Sequence, residues 1–311
     1  MRGRGLERIP ALGVWCVAMH LRIDVSHAVR LLGAALLIGG TACGGAGGAA
    51  PRTAAASQPT PAAFDPAQSD AQALAVVDAT IAAAGGAAAW EQVKQIQWES
   101  KYHQNEQFVG WFKHSWDRWN GRHRFETVDL AEYKKAEAAG RLQDMKWVIA
   151  MYDLFDRQGT AAATYGGILV AEADRDRLVG EAYQRWQADA YLLSLPHKLH
   201  DPGVMLSYVG EAQEANGKCQ GGCVVIKVSF APEVGSDVYF LNINKGTNMP
   251  DVIEKQMAAG TLAYAVDAWA EAGGLKFPSK LRNLGASEAI TFENIRIGEP
   301  DDSLYRAPVQ R

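Results

Sequence analysis

The chain has no apolar run long enough to cross a bilayer as a helix: the longest, at residues 31–40, is about ten residues where roughly 20 are needed. It has no excess of positive charge either. Lys and Arg number 31 against 35 Asp and Glu, and residues 1–42 hold five of the former and two of the latter, so the rest carries 26 and 33, a net charge of −7. That balance argues against a nucleic-acid partner and against polybasic attraction to anionic lipid. Cysteine is scarce, with four in 311 residues. Missing too are G-x-S-x-G, G-x-x-x-x-G-K-[ST] and G-x-G-x-x-G, so no nucleophile elbow, phosphate loop or dinucleotide loop is signalled. There is no internal repeat and no second linker.

What is there begins with targeting. Arg22 and Arg30 precede the short apolar run, and the small residues Thr41 and Ala42 close it. This is the layout of a secretory signal. Cys43 stands at the cleavage point, and Thr41-Ala42-Cys43 resembles the lipobox of bacterial lipoproteins, with Gly40 where that family usually has leucine. The resemblance implies that Cys43 becomes the first mature residue and carries acyl chains such as palmitate, two or more of which anchor stably. Gly44 is not the aspartate that retains lipoproteins at the inner membrane of well-studied Gram-negatives, which favours an outer-membrane anchor facing the periplasm. Residues 1–18 fit no part of a signal, and Met19 opens a more normal one, so translation is expected to start there.

Residues 44–68 are Gly, Ala, Pro, Ser and Thr with almost no large apolar side chain. Such a segment buries too little surface to offset its ordering entropy and reads as a tether. Residues 69–311 are globular in composition and long enough for one domain. Within them lie Cys219 and Cys223, flanking Gln-Gly-Gly. In an exported chain this spacing points to a local disulfide at a hairpin tip; C-x-x-C redox spacing is absent, and no two further metal ligands lie nearby.

Ser69 and Gln72 form a capping-box pattern ahead of a helix carrying Leu74, Val77, Ile81 and Ala84, ended by Gly85-Gly86. A short turn around 88–90 follows. The period then becomes two, with strands expected near 96–102, 107–119 and 122–128, the last two joined by Asn120-Gly121. Residues 130–144 read as a helical or irregular excursion, and 146–155 and 161–170 as a hairpin. Helical spacing returns over 172–194 through Leu178, Ala182, Trp186, Ala190 and Leu193, stopped by Pro196. Strands are expected at 205–212, 223–230, 238–244, 276–284 and 289–297, with a less regular stretch through 252–257 and 262–269. About ten antiparallel strands and two principal helices make an α+β domain on a large antiparallel sheet.

Three segments carry a family resemblance: Gly85-Gly86 followed by Trp90 and a strand; residues 191–203, YLLSLPHKLHDPG; and the tail, with GGLKFP at 273–278, ITFENI at 290–295 and DDSLYRAP at 301–308. In this order they resemble the outer-membrane lipoprotein-sorting (LolA/LppX-like) superfamily over essentially residues 69–308. The resemblance implies a half-open β-barrel whose concave face is covered by helices and receives an acyl chain or other lipophilic ligand. This chain departs from the soluble carrier in being anchored, which suits a receptor, a local lipid-handling protein or an assembly factor.

The residues support part of this on their own. A strongly curved sheet leaves a concave face to be filled by helices or by ligand. Trp98 and Tyr102 share one face of their strand, and Phe112 and Trp116 share one face of theirs, with Trp111 and Trp119 opposite. Phe125 follows, and Trp186 lies on the natural covering helix. Trp98, Tyr102, Phe112, Trp116, Phe125 and Trp186 are therefore the candidate ligand-lining set, although each taken alone reads first as a plain core residue. His197, His200 and Asp201 suggest a metal site only superficially, since Pro196 and Pro202 bracket them and make a turn. His103, His114 and His123 fall on adjacent strands, and their clustering depends on register. No nucleophile stands beside a base. The expectation is a non-enzymatic, membrane-anchored lipid-binding protein without cofactor. An envelope scaffold with a filled core and no identified protein partner is the alternative, and a metal-dependent hydrolase is a distant third.

Overall fold

The computed structural model describes residues 63–307, apart from 215, 233 and 259. Cys43, the Met19 start and most of the tether lie outside the described residues. One sheet of 13 strands forms the body: β1 (Gln95–Gln104), β2 (Gln107–Asp117), β3 (Arg122–Val128), β4 (Trp147–Asp153), β5 (Ala162–Tyr165), β6 (Ile168–Leu169), β7 (Val204–Ala212), β8 (Cys223–Phe230), β9 (Val238–Asn244), β10 (Pro250–Met257), β11 (Gly260–Ala272), β12 (Leu275–Asn283) and β13 (Glu288–Gly298). Four α-helices accompany it among the described residues: α1 (Ala71–Ala83), α2 (Ala87–Glu91), α3 (Leu130–Ala138) and α4 (Glu172–Ser194).

The strand order is 6-5-4-3-2-1-13-12-11-10-9-8-7, antiparallel throughout. The chain thus zigzags outward from β1 to one edge, crosses by α4, and zigzags back from the other edge until β13 pairs with β1. The sheet is curved and does not close. Helix α4 has 23 residues, about 35 Å at the α-helical rise, enough to reach between the edges it connects. Its apolar stripe packs into two buried clusters. Leu178, Val179 and Ala182 join Phe112, Phe125, Val148, Ala150 and Ala163 under the β2–β5 lobe. Ala190 and Leu193 join Trp98, Leu206, Leu241, Phe277, Leu281 and the α1 residues Val77 and Ile81 under the other.

Several local expectations need correction. The Ser69–Gln72 capping box does not form. Asp70 is the N-cap and makes no side-chain cap; instead Ser69 Oγ accepts from Leu206 N–H and Asp70 Oδ2 from Tyr208 N–H, both at 2.9 Å. Those hydroxyl and carboxylate groups cover part of the exposed edge of β7, which would otherwise offer free donors. Strand β2 ends at Asp117, not at 119, because the Asp117 carboxylate gathers Asn120 and Arg122 and turns the chain. The strand expected at 161–170 is broken at Gly166-Gly167, both with positive φ. The stretch expected to be irregular is two long strands, β10 and β11. Adjacent Val252 and Ile253 and the alanines of β11 hide the alternation from the sequence, and pairing with β9 and β12 overrides weak strand propensity. The Gly85-Gly86 stop holds, with φ of 118° and 92°; a Cβ on Gly85 would lie 2.4 Å from the Gly274 carbonyl oxygen.

Candidate functional site

The register of β1–β4 stacks same-face side chains in rows under α4. Trp98 of β1 lies opposite His114 of β2, then Phe125 of β3 and Ala150 of β4. One row over are Ile96, Trp116, His123 and Tyr152, and on the other side Ser100, Phe112 and Thr127. Trp98, Phe112 and Phe125 are buried, while Tyr102, Trp116 and Trp186 are half-buried. The structure therefore brings the six aromatics to one layer between sheet and helix. Contacts link them: Trp98 stacks on His114 at 4.4 Å, Phe112 on Phe125 at 5.8 Å, and Trp116 meets Trp186 edge-on at 5.3 Å. Trp111 is on the other face, packed against Trp147 and donating to Glu99.

In the middle of this apolar layer is a charged side chain. Asp189 of α4 is completely buried. Its carboxylate accepts from the Tyr102 hydroxyl, from Ser100 Oγ at 2.5 Å and from His114 Nε2 at 3.1 Å, and Arg185 stands one turn back on α4 with a nitrogen 3.6 Å away. His114 Nδ1 is 3.3 Å from His123 Nε2, and His123 Nδ1 is 2.9 Å from the Tyr152 hydroxyl. A carboxylate only accepts, which fixes the tautomers along the line. His114 donates from Nε2 and accepts at Nδ1, His123 donates from Nε2 and accepts at Nδ1, and Tyr152 supplies the last proton. The network runs from α4 to β4 and fills the junction between the two apolar clusters.

Its electrostatics follow from burial. Burial lowers the pKa of His114 and pushes that of His123 well down, so both rings are neutral near pH 7. Burial alone would raise the Asp189 carboxyl, but the His114 hydrogen bond and the Arg185 charge outweigh it and hold it below its ordinary value. Burial and the neighbouring Asp189 raise Tyr102 well above its usual range. Arg185 loses hydration but is held charged by Tyr102 and Asp189, and its guanidinium lies over the Tyr102 and Phe112 rings at 4.5 and 4.6 Å. The cluster carries one cation and one anion.

Several buried donors in the same layer have no acceptor: the indole N–H groups of Trp98, Trp116 and Trp186, and Nε of Arg185.

Other candidates fall apart. His103 lies away from the pair, with its ring 5.9 Å from Phe108. His197 is buried against Trp90 and hydrogen-bonds the Lys276 carbonyl; His200 stacks on Phe64 and faces Asp78; Asp201 pairs with Lys198. These three do not share a site. Cys219 and Cys223 are disulfide-bonded beside Asp251, in the β7–β8 hairpin loop, the one three-residue group with metal-ligand geometry among the described residues. Both sulfurs are used in that bond. Ser100 donates to a carboxylate and not to a histidine, so neither histidine is placed as its base.

The sequence reading missed Asp189, Arg185, Ser100 and Tyr152. A signal existed for Asp189: it falls three residues after Trp186 and four before Leu193, on the apolar stripe of α4. An acid at a buried helical position calls for partners.

No family model matches the chain, and no curated protein matches it. Solved structures do. MucB is similar over 77% of this chain and 64% of its own, at 16% identity and a TM-score of 0.25. A LolA superfamily protein from Nitrosomonas europaea is similar over 75% of this chain and 97% of its own, at 7% identity and a TM-score of 0.38. The Pseudomonas aeruginosa MucA/MucB complex contains a chain similar over 75% of this one, at 14% identity and a TM-score of 0.23. This chain spans just under two thirds of the MucB chain. At these identities the likeness is one of fold. Among the described residues no helix is long and apolar enough to cross a membrane.

Proposed function

We propose that the protein is a lipid-anchored envelope protein that holds a lipid or acyl chain between α4 and the β1–β3 part of its sheet, without catalysing a reaction. The observation that carries this reading is the aromatic layer itself. Six aromatics from three strands and one helix meet on the one face of an unclosed sheet that α4 covers. Helix α4 connects the two edge strands, so it can shift on its ends without unpairing any strand. The lobes on either side are separate buried clusters that Tyr102 bridges, and the polar link that holds the middle of the helix between them is the Asp189 network. A cover held by a few polar contacts opens more readily than one held by continuous apolar packing.

The anchored part of the reading rests on Cys43 and its signal. The non-catalytic part rests on the Ser100 geometry and on the two histidines being spent on each other.

A second reading has its own support. Trp98, Phe112 and Phe125 are already buried against neighbours, as in a filled core used for scaffolding. Native mass spectrometry of the full chain carrying Cys43→Ala separates the two. The lipid-binding reading predicts one co-purified lipid per chain, removable by organic extraction and restored by added lipid. A bare chain that stays bare in lipid overturns it and leaves the scaffold.

A further inference from the structure

The buried indole donors say more about the ligand than its greasiness. Trp98, Trp116 and Trp186 each carry an N–H that can only donate, and each is shut off from solvent with no acceptor. Buried donors are nearly always paired, and leaving one unmade is destabilising. Trp90 is unpaired in the same way but stands at the margin, stacked on His197 and covered by Arg118, whose guanidinium also reaches the Trp116 ring at 5.8 Å. The other three belong to one connected patch: Trp98 on His114, His114 on His123, His123 on Trp186 at 5.9 Å, and Trp186 on Trp116. Two are on the sheet and one is on α4, so they flank the seam where the proposed ligand would lie. Arg185 Nε, also unpaired, adds a fourth donor beside it. The acceptors of the Asp189 network are spent: Asp189 receives Ser100, Tyr102 and His114, and each histidine accepts from its neighbour or gives to it. Glu181 Oε2, one turn before Arg185 on α4, is a buried acceptor that none of these donors reaches.

Charge narrows the class. Arg185 is matched by Asp189, both histidines are neutral, and Arg118, 5.8 Å from the Trp116 ring, is turned to the Trp90 and Val93 carbonyls. A carboxylate or phosphate desolvated here would add an unpaired buried anion, which is costly. An uncharged acceptor costs nothing of that kind and satisfies the donors. Resting on the lipid-binding reading above, we infer that the seam recognises the neutral carbonyl oxygens of an ester- or amide-linked acyl chain through the indole N–H groups of Trp98, Trp116 and Trp186, and discriminates against a free fatty acid.

The experiment uses the full chain carrying Cys43→Ala, stripped of lipid, with ¹⁵N-labelled indoles assigned by single Trp→Phe substitution. Three C18:1 probes are titrated: a monoacylglycerol, the primary amide, and the free acid at pH 7.5. The inference expects the Trp98, Trp116 and Trp186 indole resonances to move downfield with the ester and the amide. It expects weaker binding of the acid, and about fivefold lower ester affinity in Trp186→Phe, one neutral hydrogen bond's worth. Trp116→Phe gives the same loss, and wild-type spectra stand alone should Trp98→Phe fail to fold. If all three probes bind equally and the indole signals stay still, the donors are satisfied by water and the inference is overturned while lipid binding stands. If no probe binds, both fall together.

Discussion

Asp189 is the residue on which the interior depends. It brings a charge into an apolar layer and is tolerated because four side chains meet it. Removing one partner of a buried charged pair is far worse than never having buried it. Asp189→Ala leaves Arg185 buried beside Tyr102 with nothing to balance it, and is expected to cost about 3–5 kcal/mol in urea unfolding. The histidines give a second residue-scale prediction. His114, His123 and His197 all have folded pKa values below the ordinary 6.5, that of His197 at about 4, with burial the largest cause in each. As pH falls through about 6.5 the unfolded chain takes up these protons first, so it binds more protons than the folded one and stability drops. Each histidine contributes up to about 1.4 kcal/mol per pH unit within its window. The groups facing the pair are Asp189 and Arg185 from α4, Ser100 and Tyr102 from β1, and Tyr152 from β4; none becomes protonated between pH 7 and 5 to offset the loss. The urea midpoint should fall steadily from pH 7 to pH 5, and more gently in the His114→Gln/His123→Gln double variant. A flat profile in the wild type would show that the rings titrate alike in the folded and unfolded chain, and a midpoint that rises toward pH 5 would show that the fold holds them protonated.

At the scale of elements, α4 divides its labour between two clusters. Leu178→Ala opens space under the β2–β5 lobe and Leu193→Ala under the other, each at about 2–5 kcal/mol. The two positions lie in separate clusters, about 22 Å apart along the helix, and their effects should add in the double variant. The Cys219–Cys223 bond closes only a five-residue loop, so reduction is expected to cost no more than ~2 kcal/mol by calorimetry. Which elements could be read from sequence follows from how locally they are specified. Helix α4 and strands β8 and β9 were legible to the residue, because their hydrophobic periods and the stops at Pro196 and Cys223 are local signals. Strands β10 and β11 were not, since only their neighbours in the sheet decide them. The site divides in the same way. The aromatics of β1 and β2 announced their faces by alternation, whereas the meeting of His114, His123 and Asp189 depends on strand register and on where a distant helix lands. Asp189 was within reach of the helical period; Tyr152 and Ser100 were not.

At the scale of the whole molecule, the described residues form one unclosed antiparallel sheet with the long helix α4 laid across one face. Its acidic balance offers no second attraction to a membrane, so attachment rests on Cys43 in the proposed account. Cys43→Ala should move the protein from the membrane pellet to the soluble fraction on cell fractionation, and retention in the pellet would require another anchor. The central claim is that a lipid lies beneath α4, and photocrosslinking locates it most directly. A monoacylglycerol with a photoreactive group in its chain, activated in the presence of the full chain and mapped by peptide mass spectrometry, is predicted to label peptides of β1–β3 and α4 that contain Trp98, Phe112, Phe125 or Trp186. Labelling confined to the exposed Trp119 and Phe155, or none at all, would contradict it.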